Sequence, residues 1–278
     1  MTERPVTVTH STVPALRRVP AGLAELAAYR ELLAYMTITR LRVRYRQTWL
    51  GWAWAVLQPL ALLIFWWVAG SAFGHRQTMT VAYPLFILAG LSPWAFLATS
   101  LSTSAAGMLA SRTLIAKVYF PREIVPLSYV FAALADLGVA TLLTVIGFAF
   151  AGRGVSAEAI ELLPISAILV AYAAAMSLLL SVAQIGFRDI AIGLPLLLQG
   201  LMLTTPVLYP LDAVPEQWRA AYALNPLALL VEAFRGALVG EQTVTAGQLF
   251  YTAVLGLVLL GIGYFVFKTV EPDMIDEI

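Results

Sequence analysis

The sequence predicts an all-α integral membrane protein with six transmembrane helices, an N-terminal amphipathic interfacial helix, and an extracytoplasmic re-entrant segment between spans 5 and 6. Hydrophobic residues make up 60% of the 278 residues, charged residues make up 12%, and the mean hydropathy is +0.84. Soluble domains average roughly 25% charged residues. Six long apolar stretches and a basic N-terminal region complete the pattern, which excludes an ordinary water-soluble protein.

Six apolar stretches are long enough to cross a bilayer. A helix needs about 20 apolar residues to span a hydrocarbon core of about 30 Å. Lipid offers no hydrogen-bond partner to backbone groups, so each stretch is predicted to be helical. Residues 51–278 are therefore predicted to form one transmembrane domain. Its spans are Gly51–Phe73, Tyr83–Leu109, Val125–Phe150, Leu162–Phe187, Ile190–Tyr209 and Phe250–Phe267.

Positive charge is distributed unevenly along the chain. Residues 1–50 carry eight arginines and three acidic residues. With six spans, the N-terminus lies on the same side as the second and fourth loops and the C-terminus. That side also holds Arg112, Lys117, Arg122, Arg188 and Lys268, and the other side holds Arg76, Arg153, Arg219 and Arg235. The positive-inside rule therefore predicts that both termini are cytoplasmic.

The region before the first span divides into two parts. Residues 1–22 show no helical period, which predicts an irregular cytoplasmic tail. In residues 23–50, an amphipathic interfacial helix is predicted, with its arginines on anionic headgroups and the following tryptophans at headgroup depth. The alternative is a plain basic flank of the first span. The apolar face of the predicted helix contains Leu26, Tyr29, Leu33 and Met36.

Residues 110–126, the predicted cytoplasmic loop between spans 2 and 3, contain large apolar groups that a simple connection does not need. A short amphipathic helix ending near Pro121 would insert these groups into a groove on a partner protein. Packing against the chain's own helices explains the pattern equally well, and both alternatives stay open at this point. The apolar groups are Leu114, Ile115, Val118, Tyr119 and Phe120.

Residues 210–247 form the largest predicted extracytoplasmic segment. Residues Pro226–Val239 are mostly apolar and predicted to be helical, but they are too short to span the membrane and carry Glu232 and Arg235 three residues apart. This pattern predicts a half-inserted helix that enters from the outer face. Such a helix is stable only where protein or a water-filled path covers its ends.

The chain contains little that points to catalysis. Its two lysines, Lys117 and Lys268, do not lie in a glycine-rich phosphate loop, so ATP binding by such a loop is not predicted. His10 and His75 have no second ligand at metal-binding spacing. Asp136 is the one acidic residue clearly inside a predicted span, and an interhelical hydrogen bond is favoured over a proton relay. An ion-coupled transporter would need more charge inside the membrane.

Several motifs resemble those of ABC transporter permeases that export polysaccharides and polyol phosphates, of the O-antigen, capsule or teichoic acid type. In order, from about residue 30 to the end, they cover the start of span 1, the turn before span 5, the outer end of span 5, the outer segment and the acidic tail. The matching residues are Tyr45–Pro59, Phe187–Ile190, Thr205–Pro210, Leu224–Leu227, Phe234–Gly236 and Glu271–Ile278.

The resemblance implies a homodimer with a channel at the subunit interface and two separate ABC ATPase subunits. ATP and Mg²⁺ would bind to those subunits, so this chain would hold no cofactor and would not itself be an enzyme. The cargo would be an undecaprenyl-linked glycan, exported across the plasma (inner) membrane of a bacterium. The implied partners include membrane lipids and no nucleic acid.

The resemblance also implies roles for particular residues. Coupling to the ATPase is assigned to Arg112, Leu114, Ile115, Lys117, Tyr119, Phe120, Arg122 and Glu123. A cytoplasmic gate for the lipid-linked glycan is assigned to Arg40, Arg42, Arg44, Tyr45 and Arg46. Candidates for the channel lining are Trp52, Trp54, Trp66, Trp67, Trp94 and Phe96. An outer gate is assigned to Asn225, Pro226, Glu232 and Arg235.

Two alternatives remain. An ABC exporter of a drug or small lipid would share the six-span core, but it would less often combine the basic amphipathic helix with Gln58-Pro59 near the start of span 1. A membrane-embedded glycosyl- or phosphotransferase is more remote. It would need paired carboxylates or an acidic metal-binding cluster at a membrane face, and Glu232 or Asp136 alone supplies neither.

Overall fold

The computed structural model describes residues 15–46, 48–72, 83–152, 154, 157–187, 189–240 and 244–272. Within these ranges the protein is helical, with no β-strand. Predictions that concern His10, His75, Arg76, Arg153, Arg188 or residues 273–278 lie outside the described part. The α-helices are α1 (Ala15–Ala28), α2 (Arg30–Tyr45), α3 (Ala53–Ala72), α4 (Tyr83–Ala110), α5 (Arg112–Lys117), α6 (Ile124–Phe150), α7 (Leu162–Gly186), α8 (Ile190–Thr204), α9 (Glu216–Leu224), α10 (Pro226–Val239) and α11 (Ala246–Val270).

Four of the described helices, α4, α6, α7 and α11, are long and apolar enough to cross a membrane. The bent pair of α9 and α10 raises the number to five if it counts as one span. This confirms an all-helical protein with several membrane helices. The six-span count and the re-entrant segment stay predictions.

The first and fifth predicted spans correspond to the shorter apolar helices α3 and α8. Helix α8 ends at Thr204, short of the predicted end at Tyr209. Thr205 is extended, with φ −106° and ψ 135°. The cause is Pro206, because a residue before proline is pushed out of the helical region.

Helix α4 lies at the centre of the bundle and contacts α3, α6, α7, α8 and α10. Small polar side chains allow its close approach to two neighbours. Ser104 Oγ donates to the carbonyl of Pro126 at 3.2 Å, and Ser181 Oγ donates to the carbonyl of Ser104 at 3.3 Å. These bonds satisfy buried hydroxyls and fix α4 against the start of α6 and the end of α7.

The N-terminal region differs from its prediction. Helix α1 begins inside the segment 1–22, which was expected to be irregular, and packs along α11. The predicted single helix over 23–50 is two helices, and the second ends at Tyr45. Leu26, Leu33 and Met36 pack into a core shared with α6 and α11, so this apolar face is covered by protein and not by lipid alone. The prediction of an irregular segment overlooked a helical pattern, since apolar residues recur at steps of three and four at Leu16, Val19, Leu23 and Leu26.

The two ends of the bundle are distinct. We call the end where α1, α5, the start of α6 and the last turn of α11 meet the basic end, and the end that holds α9 and α10 the opposite end. At the opposite end, α9 and α10 meet at an angle of 91°. Asn225 caps α10 by accepting from the backbone N–H groups of Leu227 and Ala228 at 3.0 and 3.4 Å. Pro226 fits the first helical position because it has no N–H to satisfy.

Candidate functional site

The segment 110–126 lies at the basic end as a short helix, α5, followed by extended backbone at Val118. The helix ends at Lys117 and is shorter than the predicted one, which was expected to end near Pro121. Ser111 precedes it and is buried. The segment is thus a compact turn between α4 and α6 and not a free loop.

The apolar groups of this segment divide between two faces. Ile115 and Phe120 are buried against the protein's own helices, while Leu114, Val118 and Tyr119 are 43%, 54% and 78% exposed. Packing against the chain's own helices therefore holds for Ile115 and Phe120, and insertion into a partner stays a prediction for the other three. We call the exposed three the apolar edge. Arg112 and Lys117 are exposed beside it.

Glu123 was predicted to couple to an ATPase, but its side chain is completely buried. Its carboxylate accepts from Lys268 Nζ at 2.8 Å and from the hydroxyl of Tyr264 at 3.0 Å. Burial raises the pKa of the Glu123 carboxyl, and the ammonium of Lys268 opposes this shift by favouring the charged form. Glu123 therefore supports the segment from inside and, like Ile115 and Phe120, does not belong to its contact surface.

Further bonds join this support to neighbouring elements. Lys268 Nζ also donates to Glu271 Oε2 at 2.9 Å. The backbone N–H of Arg122 donates to Glu271 Oε1 at 3.2 Å, and the Arg122 guanidinium bonds the Glu271 carbonyl. Tyr119 donates to Glu25 of α1 at 3.1 Å, and this bond raises the pKa of the Tyr119 hydroxyl. The segment is thus tied to both the first and the last helix.

The basic residues of α2 bind partly within the protein. Arg40 donates to Ser111 Oγ at 2.9 Å and lies over the ring of Tyr129 at 4.3 Å. Arg44 pairs with Asp136, which also accepts from the hydroxyl of Tyr45 at 3.1 Å. The expectation that these arginines face headgroups is corrected, because Asp136 and Tyr129 of α6 supply partners.

Two positively charged side chains of the predicted gate point away from the protein. Arg42 and Arg46 are exposed, whereas Tyr45 is buried. The bonds from Arg44 and Tyr45 to Asp136 provide the interhelical hydrogen bonding predicted for that residue. Within the predicted gate, Arg42 and Arg46 are consequently the exposed arginines that lie outside the Asp136 group.

The aromatic candidates for a channel lining do not share one environment. Trp52, Trp54 and Trp67 on or beside α3 are exposed, and Trp66 is half-buried against the core. Trp94 is 5% exposed and Phe96 is 0% exposed. The channel-lining prediction is therefore wrong for Trp94 and Phe96, because α4 is central and its aromatic rings fill the core of the bundle.

The residues predicted as an outer gate all lie at the start of α10 or within it, at the opposite end. Arg235 donates to Glu232 at 2.9 Å and to the carbonyls of Pro206 and Val207 at 2.7 and 2.9 Å. Its guanidinium lies 3.8 Å from the ring centre of Phe86. Both charged side chains are buried. This arrangement fixes α10 to α4 and to the residues that follow α8.

Comparison with known proteins decides the family. The family model described as ABC-2 type transporter matches residues 31–239, well over half of the chain. The chain belongs to the ABC-2 type transporter family. The match runs from α2 to the end of α10, so the segment 110–126 and the Glu232–Arg235 pair lie inside it. Glu123 also lies inside the match, but its partner Lys268 lies beyond it.

Three curated relatives of this ABC-2 type transporter carry export or transport names. The O-antigen export system permease protein RfbA of Myxococcus xanthus is 28% identical over 258 residues, which are 91% of this chain and 98% of that protein. The RfbA of Klebsiella pneumoniae is 30% identical over 210 residues, 74% of this chain and 79% of that protein. The polysialic acid transport protein KpsM of Escherichia coli is 27% identical over 244 residues, 86% and 93% of the two chains.

The Glu123–Lys268 pair was missed by reasoning from the sequence. The available signal was Lys268 itself, which follows a long apolar stretch and becomes buried when its helix packs. A buried charge needs a partner. Glu123 lies 145 residues earlier in this transporter, and no local pattern connects the two.

Proposed function

We propose that this chain is the membrane-spanning permease subunit of an ATP-driven exporter that moves a lipid-linked polysaccharide across the plasma membrane. Membership of the ABC-2 family and the names of the relatives support this class. The observation that carries the proposal is the apolar edge, an exposed patch held on a buried base at one end of an apolar helical bundle.

The apolar edge is the proposed docking site for an ABC ATPase. Leu114, Val118 and Tyr119 project from a short turn whose other side is fixed by Ile115 and Phe120. Helix-in-groove recognition needs such apolar anchors on a rigid element. ATP and Mg²⁺ would bind to the partner, and its closure would push α5 against α4 and α6.

A second copy of the chain is the proposed partner within the membrane. Helices α3 and α8 are the least covered of the apolar helices, since α8 buries Leu194 and Leu198 while the described side chains of α3 are exposed or half-buried. Each also exposes a polar group, Gln58 or Gln199, within an apolar helix. Polar side chains in a membrane face a protein or an aqueous path. A homodimer that joins these helices would form the export channel.

The exposed tryptophans of α3 and its flank are proposed to line that channel. Trp52, Trp54 and Trp67 offer flat apolar faces that sugar rings can slide past with little sequence preference. Arg42 and Arg46 are proposed to bind the phosphates of an undecaprenyl-linked glycan, because guanidinium groups form bidentate bonds with phosphate. The carbohydrate itself would follow the carrier's headgroup into the channel.

The proposed orientation places the basic end and both termini in the cytoplasm, in agreement with the positive-inside rule. Helices α3, α4, α6, α7, α8 and α11 would be the six spans. Helices α9 and α10 would form the outer re-entrant segment, with the Glu232–Arg235 pair as part of an outer gate. Helix α2 would lie in the cytoplasmic interface.

The docking proposal is tested by Leu114→Asp in a complex purified with its ATPase and reconstituted in liposomes. A charge in the centre of a desolvated contact should lower the permease-stimulated rate of ATP hydrolysis about tenfold or more. Ile160→Asp is the matched control, because Ile160 is also exposed but lies at the opposite end. An unchanged stimulated rate in Leu114→Asp would contradict the docking site.

The chemical identity of the cargo is tested in living cells. Deleting the gene should abolish surface polysaccharide and leave lipid-linked glycan inside, and the wild-type gene should restore export while Leu114→Asp should not. If surface polysaccharide were normal and the cells instead lost resistance to a drug, the polysaccharide proposal would be replaced by that of a drug exporter.

A further inference from the structure

A buried group of charged and polar side chains lies at the basic end, beneath the proposed docking site. Lys268 Nζ lies 2.8 Å from Glu123 Oε2 and 2.9 Å from Glu271 Oε2, and Tyr264 donates to the other oxygen of Glu123 at 3.0 Å. The Lys268 side chain is 6% exposed and the Glu123 side chain is fully buried. We call Glu123, Tyr264, Lys268 and Glu271 the charged lock.

The charged lock joins elements that are far apart in sequence. Glu123 precedes the first turn of α6 and follows the segment 110–126, while Lys268 and Tyr264 belong to the last turns of α11. Helix α1 closes the group from a third side. A Cβ on Gly22 would lie 2.5 Å from both Lys268 Cε and the Tyr264 hydroxyl, so only glycine allows this approach without displacement.

An apolar core surrounds the charged lock and makes it rigid. Ile115 and Phe120 of the segment 110–126 pack in the same cluster as Tyr264 and Phe267 of α11. A salt bridge inside such a core is costly to open, because each ion would be left uncompensated in a poorly solvated place. The base of the apolar edge and the end of α11 are therefore joined both by charge and by apolar packing.

We propose that Lys268 is a positioning residue that holds the segment 110–126 to the end of α11, so that a push on the apolar edge moves the last membrane helix together with α6. This inference rests on the proposed function as an ATPase-driven permease. It adds α11, which lies beyond the part of the chain that matches the family model. Lys268 itself contacts neither the ATPase nor the cargo.

The two lysines of the chain allow a direct test, because one is exposed and the other is buried. Lys117 is exposed beside the apolar edge, and Lys268 lies in the charged lock. Reductive dimethylation of the purified complex, read for each lysine by peptide mass spectrometry, should modify Lys117 in the free permease and spare it once the ATPase is bound. Lys268 should stay unmodified in the free permease, in the complex, and in the complex trapped with ATP.

The charged lock and the proposed docking site are tested separately by the two lysines. Modification of Lys268 in the native permease, at a rate similar to that of Lys117, would overturn the lock. Lack of protection at Lys117 on binding of the ATPase would instead contradict the proposed docking site, and the lock would stand. Because this measurement uses the unchanged protein, it does not depend on whether a variant folds.

Function is tested with Lys268→Met and the conservative Lys268→Arg. In complexes of equal assembly, Lys268→Met should lower the surface polysaccharide exported per ATP hydrolysed about tenfold, the size of effect expected along a coupling path. Lys268→Arg should restore most of it, because a guanidinium can bond both carboxylates. Thr269→Val, at the exposed neighbouring position of α11, is the control and should retain the native ratio. A native ratio in Lys268→Met would overturn the proposal.

If Lys268→Met does not assemble, the double variant Glu123→Gln with Lys268→Met removes the uncompensated carboxylate and takes its place. It should assemble and still export poorly for each ATP hydrolysed. A double variant with native export per ATP would show that the charges matter for folding alone, and it would also overturn the proposal.

Discussion

Two buried ion pairs among the described residues of this transporter differ in what they connect. Lys268 belongs to α11 and Glu123 immediately precedes α6, 145 residues earlier. Arg235 and Glu232 belong to one helix and are three residues apart. In the first pair the charges themselves join two elements. In the second, Glu232 neutralises Arg235 within α10, and the spare donors of the guanidinium reach the carbonyls of Pro206 and Val207.

The two ends of the bundle are therefore held by different kinds of contact. At the basic end, the connection depends on opposite charges, and each partner is a charged side chain or a hydroxyl. At the opposite end, it depends on donors aimed at backbone carbonyls and on a cation over the ring of Phe86. An exchange of the two charges should therefore be tolerated better at the basic end than at the opposite end.

The largest effect is expected from the exchange Glu232→Arg with Arg235→Glu. It would turn a carboxylate toward two carbonyl oxygens and the negative face of Phe86. Arg235→Met alone should lower the free energy of unfolding by about 3–5 kcal/mol, as expected when one partner of a buried pair is removed. The exchange should recover none of this loss. Thermal unfolding in detergent measures both, with Arg112→Met as a control for an exposed arginine.

The corresponding exchange at the basic end is Glu123→Lys with Lys268→Glu. It should recover part of the stability that Lys268→Met loses, because opposite charges still meet between α6 and α11. Glu271 would then face a second carboxylate, so recovery should be incomplete. Equal recovery at the two ends would contradict the distinction drawn between them.

A smaller effect is expected from two glycines that contact the pairs. A Cβ on Gly90 would meet the Arg235 guanidinium and lie 2.5 Å from the carbonyl oxygen of Val207, which is backbone and must shift. Gly90→Ala should lower the free energy of unfolding by about 1–3 kcal/mol, as overpacking does. Gly22→Ala should cost less, since its neighbours Lys268 and Tyr264 present the ends of side chains. Unfolding midpoints in one detergent compare the two, and the reverse order would contradict the packing described.

The smallest effect is expected at the partly exposed ion pair of Arg44 with Asp136. The Arg44 side chain is 34% exposed and Asp136 is 17% exposed, so the protein encloses this pair less completely than the two buried pairs. Asp136→Asn should cost about 1 kcal/mol or less. In a double-mutant cycle with Arg44→Gln, the coupling energy should be similarly small. A coupling energy as large as that of the buried pairs would show that α2 is held mainly by this contact.

The sequence predicted the features that depend on local pattern. The four long spans agree with α4, α6, α7 and α11 to within a few residues, because apolar length is a local property. The start of α10 at Asn225-Pro226 is also local, since an amide cap and a proline at the first helical position are enough.

The features that depend on which helices meet were not predictable. Trp94 and Trp54 have the same residue type, yet one is in the core and the other is exposed, because α4 is central and α3 peripheral. Helix α1 docks on α11, a contact between the two ends of the chain that no local pattern reveals. Lys268 and Glu123 are joined by tertiary packing alone. Those same contacts divide the predicted coupling residues into a surface and its support.

The central claim, that this chain is a permease driven by a separate ATPase, is tested most directly by purifying it in mild detergent from the cells that encode it. The proteins that stay bound are then identified by mass spectrometry. We expect an equimolar ATPase with a glycine-rich phosphate loop, whose binding Leu114→Asp abolishes and Ile160→Asp leaves unchanged. Recovery of the chain without any ATPase, even after crosslinking in intact cells, would contradict it.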